Sequence, residues 1–222
     1  MTPATPSPST TLVHSYLFLR RAIGVIGLAL PVLLIVGTLA VDGGGLLNSI
    51  SGYYYTSTRD VFVGSMCAIG VFLLSYHGYS RLDDVAGNLA AIAAIGLAVC
   101  PTTPAHATST DRVLGVLHLV FASVFFLTLA FFCLFLFTKS DKADPTRRKI
   151  DRNRVYVAAG VVILASLALI VVTSLVPVAT TLHPALWLET AAILAFGFAW
   201  LTKGEAILAD VSPAEEVSPA VA

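Results

Sequence analysis

Long apolar stretches alternate with short polar ones along nearly the whole chain. Runs at 22–41, 61–79, 113–137, 155–176 and 185–202 each come close to the ~20 mostly apolar residues that a membrane-crossing helix needs. The stretch 85–103 is less apolar but rich in alanine, and no Asp, Glu, Lys or Arg lies between Asp84 and Asp111. It counts as a sixth crossing. The predicted fold is therefore all-α: a polytopic transmembrane helix bundle of six spans. Ala90, Ala94 and Ala98 recur every four positions in the third run, and Ala191, Ala195 and Ala199 do so in the last. Small residues at that spacing let helix backbones approach closely in lipid, which predicts a central place for the third helix.

Composition supports the pattern. Of 222 residues, 57% belong to the AVILMFWYC set and only 12% are charged, about half the share usual in a soluble domain. A soluble domain of this size has too little interior to hide so much apolar surface. The formal net charge is zero, so no basic field argues for nucleic acid. The thirteen Lys and Arg residues are unevenly placed: with the N-terminus inside, only Arg59 and Arg112 fall in outer segments. That asymmetry predicts cytoplasmic N- and C-termini and a multi-pass protein of a bacterial-type cell inner membrane.

The first run is too long for the 7–15-residue core of a signal peptide, and no A-x-A site follows it. Arg20 and Arg21 read as flank charges. Residues 1–19 and 204–222, rich in Pro, Ser, Thr and Ala, are expected to be flexible tails around a transmembrane domain at 20–203. The segment from Lys139 to Arg154 is strongly basic, which suits a topology determinant and also a contact for anionic lipid. Cys67, Cys100 and Cys133 lie in or beside apolar runs without a C-x-x-C pattern, as free buried thiols do. Trp187 and Trp200 bracket the last run in the manner of an interfacial aromatic belt. No phosphate-binding loop occurs, and Pro31 in the first run has no counterpart in the fourth, so neither nucleotide-driven nor inverted-repeat transport has support.

Ionisable residues that must stay near the apolar slab carry the functional information. The first outer loop ends in the polar run from Ser49 through Ser51, Tyr53, Tyr54, Tyr55 and Arg59 to Asp60. His118 is expected about 7.5 Å below the outer end of the fourth helix and Glu189 about 6 Å below that of the sixth, at 1.5 Å per residue. Asp60, His118 and Glu189 thus fall at similar expected depths, with His106 and His183 in the outer loops. One chemistry for such a set is hydrolysis of a lipid by Zn²⁺ held by His118, His183 and Asp60, with Ser51, Asp60 or Glu189 in catalytic roles. The other is binding alone. Arg59 would clamp a phosphate or carboxylate while Tyr53, Tyr54 and Tyr55 form a head-group cleft. Structural readings compete with both, since tyrosine favours interfaces and Asp60 suits a helix N-terminus.

Several short stretches carry a resemblance: Arg-Arg-Ala-Ile-Gly at 20–24, Ser-Ile-Ser-Gly-Tyr-Tyr-Tyr at 49–55, Arg-Asp-Val-Phe-Val-Gly at 59–64 and Leu117-His118. Over about residues 20–205 the chain resembles a group of bacterial six-span membrane proteins of unassigned activity. More distantly it is similar to the CREST superfamily of membrane hydrolases, whose Ser, Asp and first His would correspond to Ser51, Asp60 and His118. The His-x-x-x-His that completes that pattern is missing from the last helix. A second distant likeness, through Phe62-Val63-Gly64 after a serine-rich loop, is to the six-span Frag1/DRAM/Sfk1 group, associated with membrane trafficking and lipid organisation. The expectation is an integral membrane protein with an outer polar site for a lipid or small ligand. The alternatives are a zinc-dependent lipid hydrolase and an accessory subunit of a larger membrane complex; a homo-oligomer is a further option.

Overall fold

The computed structural model describes residues 8–78, 80–140, 146–176 and 182–209, with side chains from residue 16 onward. The fold is all-α. Its helices are α1 (Pro8–Asp42), α2 (Arg59–Leu74), α3 (Arg81–Val99), α4 (Ser109–Phe131), α5 (Arg147–Leu175) and α6 (Pro184–Lys203). A 3-10 turn, Ser51–Tyr55, lies in the loop between α1 and α2, and a π-helical turn, Phe132–Leu136, extends α4. Each helix packs on its neighbours in sequence, and α1 packs on α6 to close the ring. The C-terminal ends of α1, α3 and α5 lie at one end of the bundle, called the outer end after the expected orientation. Those of α2, α4 and α6 lie at the other, inner end.

Five of the helices are long and apolar enough to cross a membrane; α2, at sixteen residues, is not among them. Valines such as Val32, Val36, Val116 and Val161, each more than half exposed, face outward. Such a continuous apolar exterior suits lipid and not water. Aromatic rings fill the interior: Phe125 and Phe196 pack at 6.1 Å between centroids, and Tyr76, Phe132 and Phe137 surround Trp200 at 5.3–5.9 Å. Trp200 is fully buried, against the belt expectation, while Trp187 is half exposed. The indole is enclosed because α6 ends between the π-helical turn and the α2–α3 connection.

Ala90, Ala94 and Ala98 are all buried, and α3 is the most enclosed of the candidate spans, held between α2 and α4. In α6 the contact with α1 is made instead through glycine. A Cβ on Gly197 would lie 3.0 Å from Gly24 O, and one on Gly24 would lie 2.9 Å from Gly197 O. Only hydrogen side chains allow that approach.

The helix ends differ from the apolar runs. α1 starts at Pro8, so residues 8–19 of the expected N-terminal tail are helical, while residues 1–7 and 210–222 lie outside the described residues. α2 stops at Leu74, short of the run's end. Ser75 Oγ donates back to Val71 O, and the chain turns through Gly78, where a Cβ would overlap Asp83. Tyr79 is outside the described residues. α3 opens with a capping box in which Ser80 and Asp83 satisfy each other's backbone N–H groups. Asp83 is 1% exposed and pairs with Lys139 at 3.4 Å, tying α3 to the segment after α4.

Candidate functional site

The outer end is a cap made from the first outer loop. Its 3-10 turn leaves unpaired N–H groups at its start, as any helix N-terminus does. Glu189, in the second turn of α6, supplies the acceptor: Oε2 receives Ile50 N–H at 2.6 Å and Ser51 N–H at 3.4 Å. A net hydrogen bond contributes about 0.5–1.5 kcal/mol, while a buried donor left without its acceptor costs about 1–3 kcal/mol. Ser49 Oγ receives Gly52 N–H at 3.0 Å, which completes the turn's N-terminus.

The same loop is held at three other points. His183 Nδ1 donates to Asn48 Oδ1 at 3.0 Å, from a backbone with φ of +46° immediately before Pro184. A left-handed conformation costs a non-glycine residue about 1–2 kcal/mol, so this anchor is held against strain. The hydroxyls of Thr38, Thr56 and Thr58 form a closed triangle with sides of 2.9–3.2 Å between α1 and the loop. Tyr55 Oη donates to Thr102 O at 2.6 Å in the α3–α4 connection. Burial and the nearby Asp111 carboxylate push the Tyr55 phenol above its ordinary pKa, so it remains a donor.

Arg59 is exposed on this cap and rests on the partly buried Tyr54. The guanidinium carbon lies 4.5 Å above the Tyr54 ring and Nη2 donates to Tyr54 Oη at 2.7 Å. Tyr54 and Tyr55 meet edge to face at 5.2 Å. Tyr53 points the other way. It is buried, and its hydroxyl has no hydrogen-bond partner among the described residues.

The three ionisable residues expected at similar depth sit at different distances along their helices. Asp60 is the second residue of α2 and is exposed, with no hydrogen bond or ion pair among the described residues. Glu189 lies ~7.5 Å into α6, and His118 ~13.5 Å into α4, at 1.5 Å per residue. The Thr108–Asp111 capping box starts α4 at Ser109, a full turn before its apolar run, and this accounts for the difference. His118 is 3% exposed, and its Nδ1 donates to Cys100 O at 2.7 Å, satisfying a carbonyl at the C-terminus of α3. That bond leaves Nε2, the nitrogen a metal would take. Among the described residues, however, no three His, Cys, Asp or Glu side chains stand together to complete a ligand set. His118, His183 and Glu189 are thus each committed to a different partner, Asp60 has none among the described residues, and Ser51 meets Glu189 only through its backbone. His106 is exposed in the α3–α4 connection.

No family model, curated protein or solved structure matches the chain.

Two arrangements escaped the sequence pattern. The Ser80-x-x-Asp83 spacing is a capping-box signal in itself. Asp83 lies just before the apolar run, which begins at Val85, so hydropathy does not mark it. The inner end also gathers cations in three dimensions. Lys149 Nζ donates to Phe137 O and lies 5.9 Å from the Tyr156 ring centroid. Lys203 stands 5.3 Å over Phe137, and Arg20 4.8 Å over Tyr16. Within the basic segment from Lys139 to Arg154, residues 141–145 lie outside the described residues.

Proposed function

We propose that the chain is a six-span inner-membrane protein with both ends in the cytoplasm, and that it works by binding a head group or small anion at its outer cap. Support for six crossings comes from the strict alternation of helix direction, which includes α2, and from the position of Arg59 and Arg112 at the opposite end from the other cations. The binding reading rests on one observation: Arg59 is exposed, stacked on Tyr54 and bonded to its hydroxyl, while using only part of its donor fork. A guanidinium held flat on a ring is pre-oriented for a phosphate or carboxylate. Of the groups a hydrolase would need, His118, His183 and Glu189 are instead occupied in fastening the loop and the end of α3. This favours the likeness to the Frag1/DRAM/Sfk1 group over that to the CREST hydrolases.

Quantification of phospholipid per chain after mild detergent extraction tests the proposal. Arg59→Ala should lose co-purifying lipid while keeping the wild-type melting temperature within a few degrees, because an exposed cation–π contact contributes only about 0.5–1 kcal/mol. Equal lipid retention in wild type and variant would remove the outer cap as the binding element.

A further inference from the structure

The charges around the outer cap are mixed. Arg59 and Arg112 stand against Asp42, Asp60 and Asp111, before the cap's own Glu189 is counted. The outer end therefore has no positive field to gather a ligand that brings negative charge alone. Three of the four carboxylates are taken up by backbone N–H groups. Asp42 Oδ2 receives Ser57 N–H at 3.2 Å, Asp111 Oδ2 receives Thr108 N–H at 2.8 Å, and Glu189 receives those of Ile50 and Ser51.

Asp60 differs from them. It is exposed and has no hydrogen bond or ion pair among the described residues. It directly follows Arg59 at the start of α2, yet the two do not pair, because successive residues on a helix point about 100° apart. An exposed guanidinium and an exposed, unneutralised carboxylate thus stand side by side. The face of Tyr54, which would suit a quaternary ammonium, is covered by the Arg59 guanidinium at 4.5 Å. For a ligand cation there remains the Asp60 carboxylate, an acceptor that calls for N–H donors. One turn further along the same helix face is Gly64, where a built Cβ meets nothing within 4 Å, and Val61 beside it is partly exposed. That face is open and apolar, as an acyl chain requires.

We propose that the outer cap selects a zwitterionic head group with a primary ammonium, of the phosphoethanolamine kind, with Arg59 on the phosphate and Asp60 on the ammonium. The inference rests on the reading of Arg59 given above and adds the identity of the head group. Phosphate and ammonium are joined there by a two-carbon bridge, and consecutive Cα atoms are about 3.8 Å apart, so one head group reaches both side chains. Asp60 also discriminates by repulsion: a singly anionic head group on Arg59 brings its charge beside a carboxylate that nothing neutralises. Phosphatidylethanolamine and its soluble deacylated form share this chemistry, and the open face along α2 favours the lipid.

The full chain, stripped of lipid in neutral detergent, is incubated with equal amounts of phosphatidylethanolamine, phosphatidylglycerol and phosphatidylcholine. It is then recovered, and its bound phospholipid is counted by class. Wild type should hold phosphatidylethanolamine about three- to fivefold above either of the others, the range that one exposed ion pair supports. Asp60→Asn should bring the ratio back to that supplied, with Asp60→Ser in its place if that variant does not fold. Asp60→Glu, which restores the charge, should restore the preference. Displacement of the lipid by glycerophosphoethanolamine at a similar concentration would keep the selectivity and assign the site to the soluble zwitterion. Wild type holding either other lipid as well as phosphatidylethanolamine, or a preference unchanged in Asp60→Asn, overturns the proposal. The cap reading survives that result if Arg59→Ala still sheds phospholipid; undiminished phospholipid in Arg59→Ala removes both.

Discussion

Glu189 and Ile50 are 139 positions apart in sequence and 2.6 Å apart in space, carboxylate oxygen to backbone nitrogen. The contact makes α6 the clamp of the first outer loop. Removing it orphans Ile50 N–H and Ser51 N–H at the start of the 3-10 turn. Glu189→Ala should therefore lower stability by about 1–3 kcal/mol and open the loop. Limited proteolysis would report cleavage within residues 43–58 in the variant and protection in the wild type. Glu189→Gln keeps an acceptor oxygen and should lie between the two. A variant as protected as wild type would mean that the remaining anchors, at Asn48, Tyr55 and the threonine triangle, hold the loop without Glu189.

The α1–α6 seam makes a second prediction. Gly197→Val places methyl groups where Leu28 and the Gly24 carbonyl already sit, at 2.8–3.0 Å even from the first added carbon. Overpacking of this kind costs about 1–3 kcal/mol, and more when backbone is the obstacle. Gly64, on α2, has nothing within 4 Å of a built Cβ. Gly64→Ala should be neutral or stabilising by up to about 1 kcal/mol, from helix propensity alone. Thermal melts of the two variants in the same detergent make the comparison.

The apolar runs revealed the helices because lipid demands a minimum length and tolerates few charges. They did not reveal the helix ends, since hydropathy marks the part of a helix in lipid and not the helix itself. α4 begins at a capping box, and α5 begins at Arg147 among charged residues, before their apolar runs. Glu189 and His118 stood out correctly as polar groups that needed partners. What each one meets was not legible: the partners are Ile50 N–H, Ser51 N–H and Cys100 O, backbone groups that every residue carries. Trp200 failed for a related reason, because a ring at a helix end reads as an interfacial anchor unless the packing around it is known.

His118 separates a structural from a metal role. Its truncation leaves Cys100 O without a donor and a hole in the bundle, which together should cost about 2–4 kcal/mol. If the histidine acts only through that bond, a strong chelator leaves the wild-type melting temperature unchanged while His118→Ala lowers it. Zinc bound near one per chain, and lost in the variant, would restore the hydrolase reading.

α2 carries the final test, because the topology turns on it. Its sixteen residues span about 24 Å at 1.5 Å per residue, against a hydrocarbon core of about 30 Å. A shortfall of that size is met by local thinning of the bilayer at modest cost, so the helix can still cross. Ser57 and His77 are exposed at its two ends. With the three native cysteines replaced, Ser57→Cys in intact spheroplasts should react with a membrane-impermeant maleimide. His77→Cys should react only after permeabilisation. Labelling of both from the outside would make α2 a re-entrant or interfacial helix. The crossings would then number five, and the two chain ends would lie on opposite sides of the membrane.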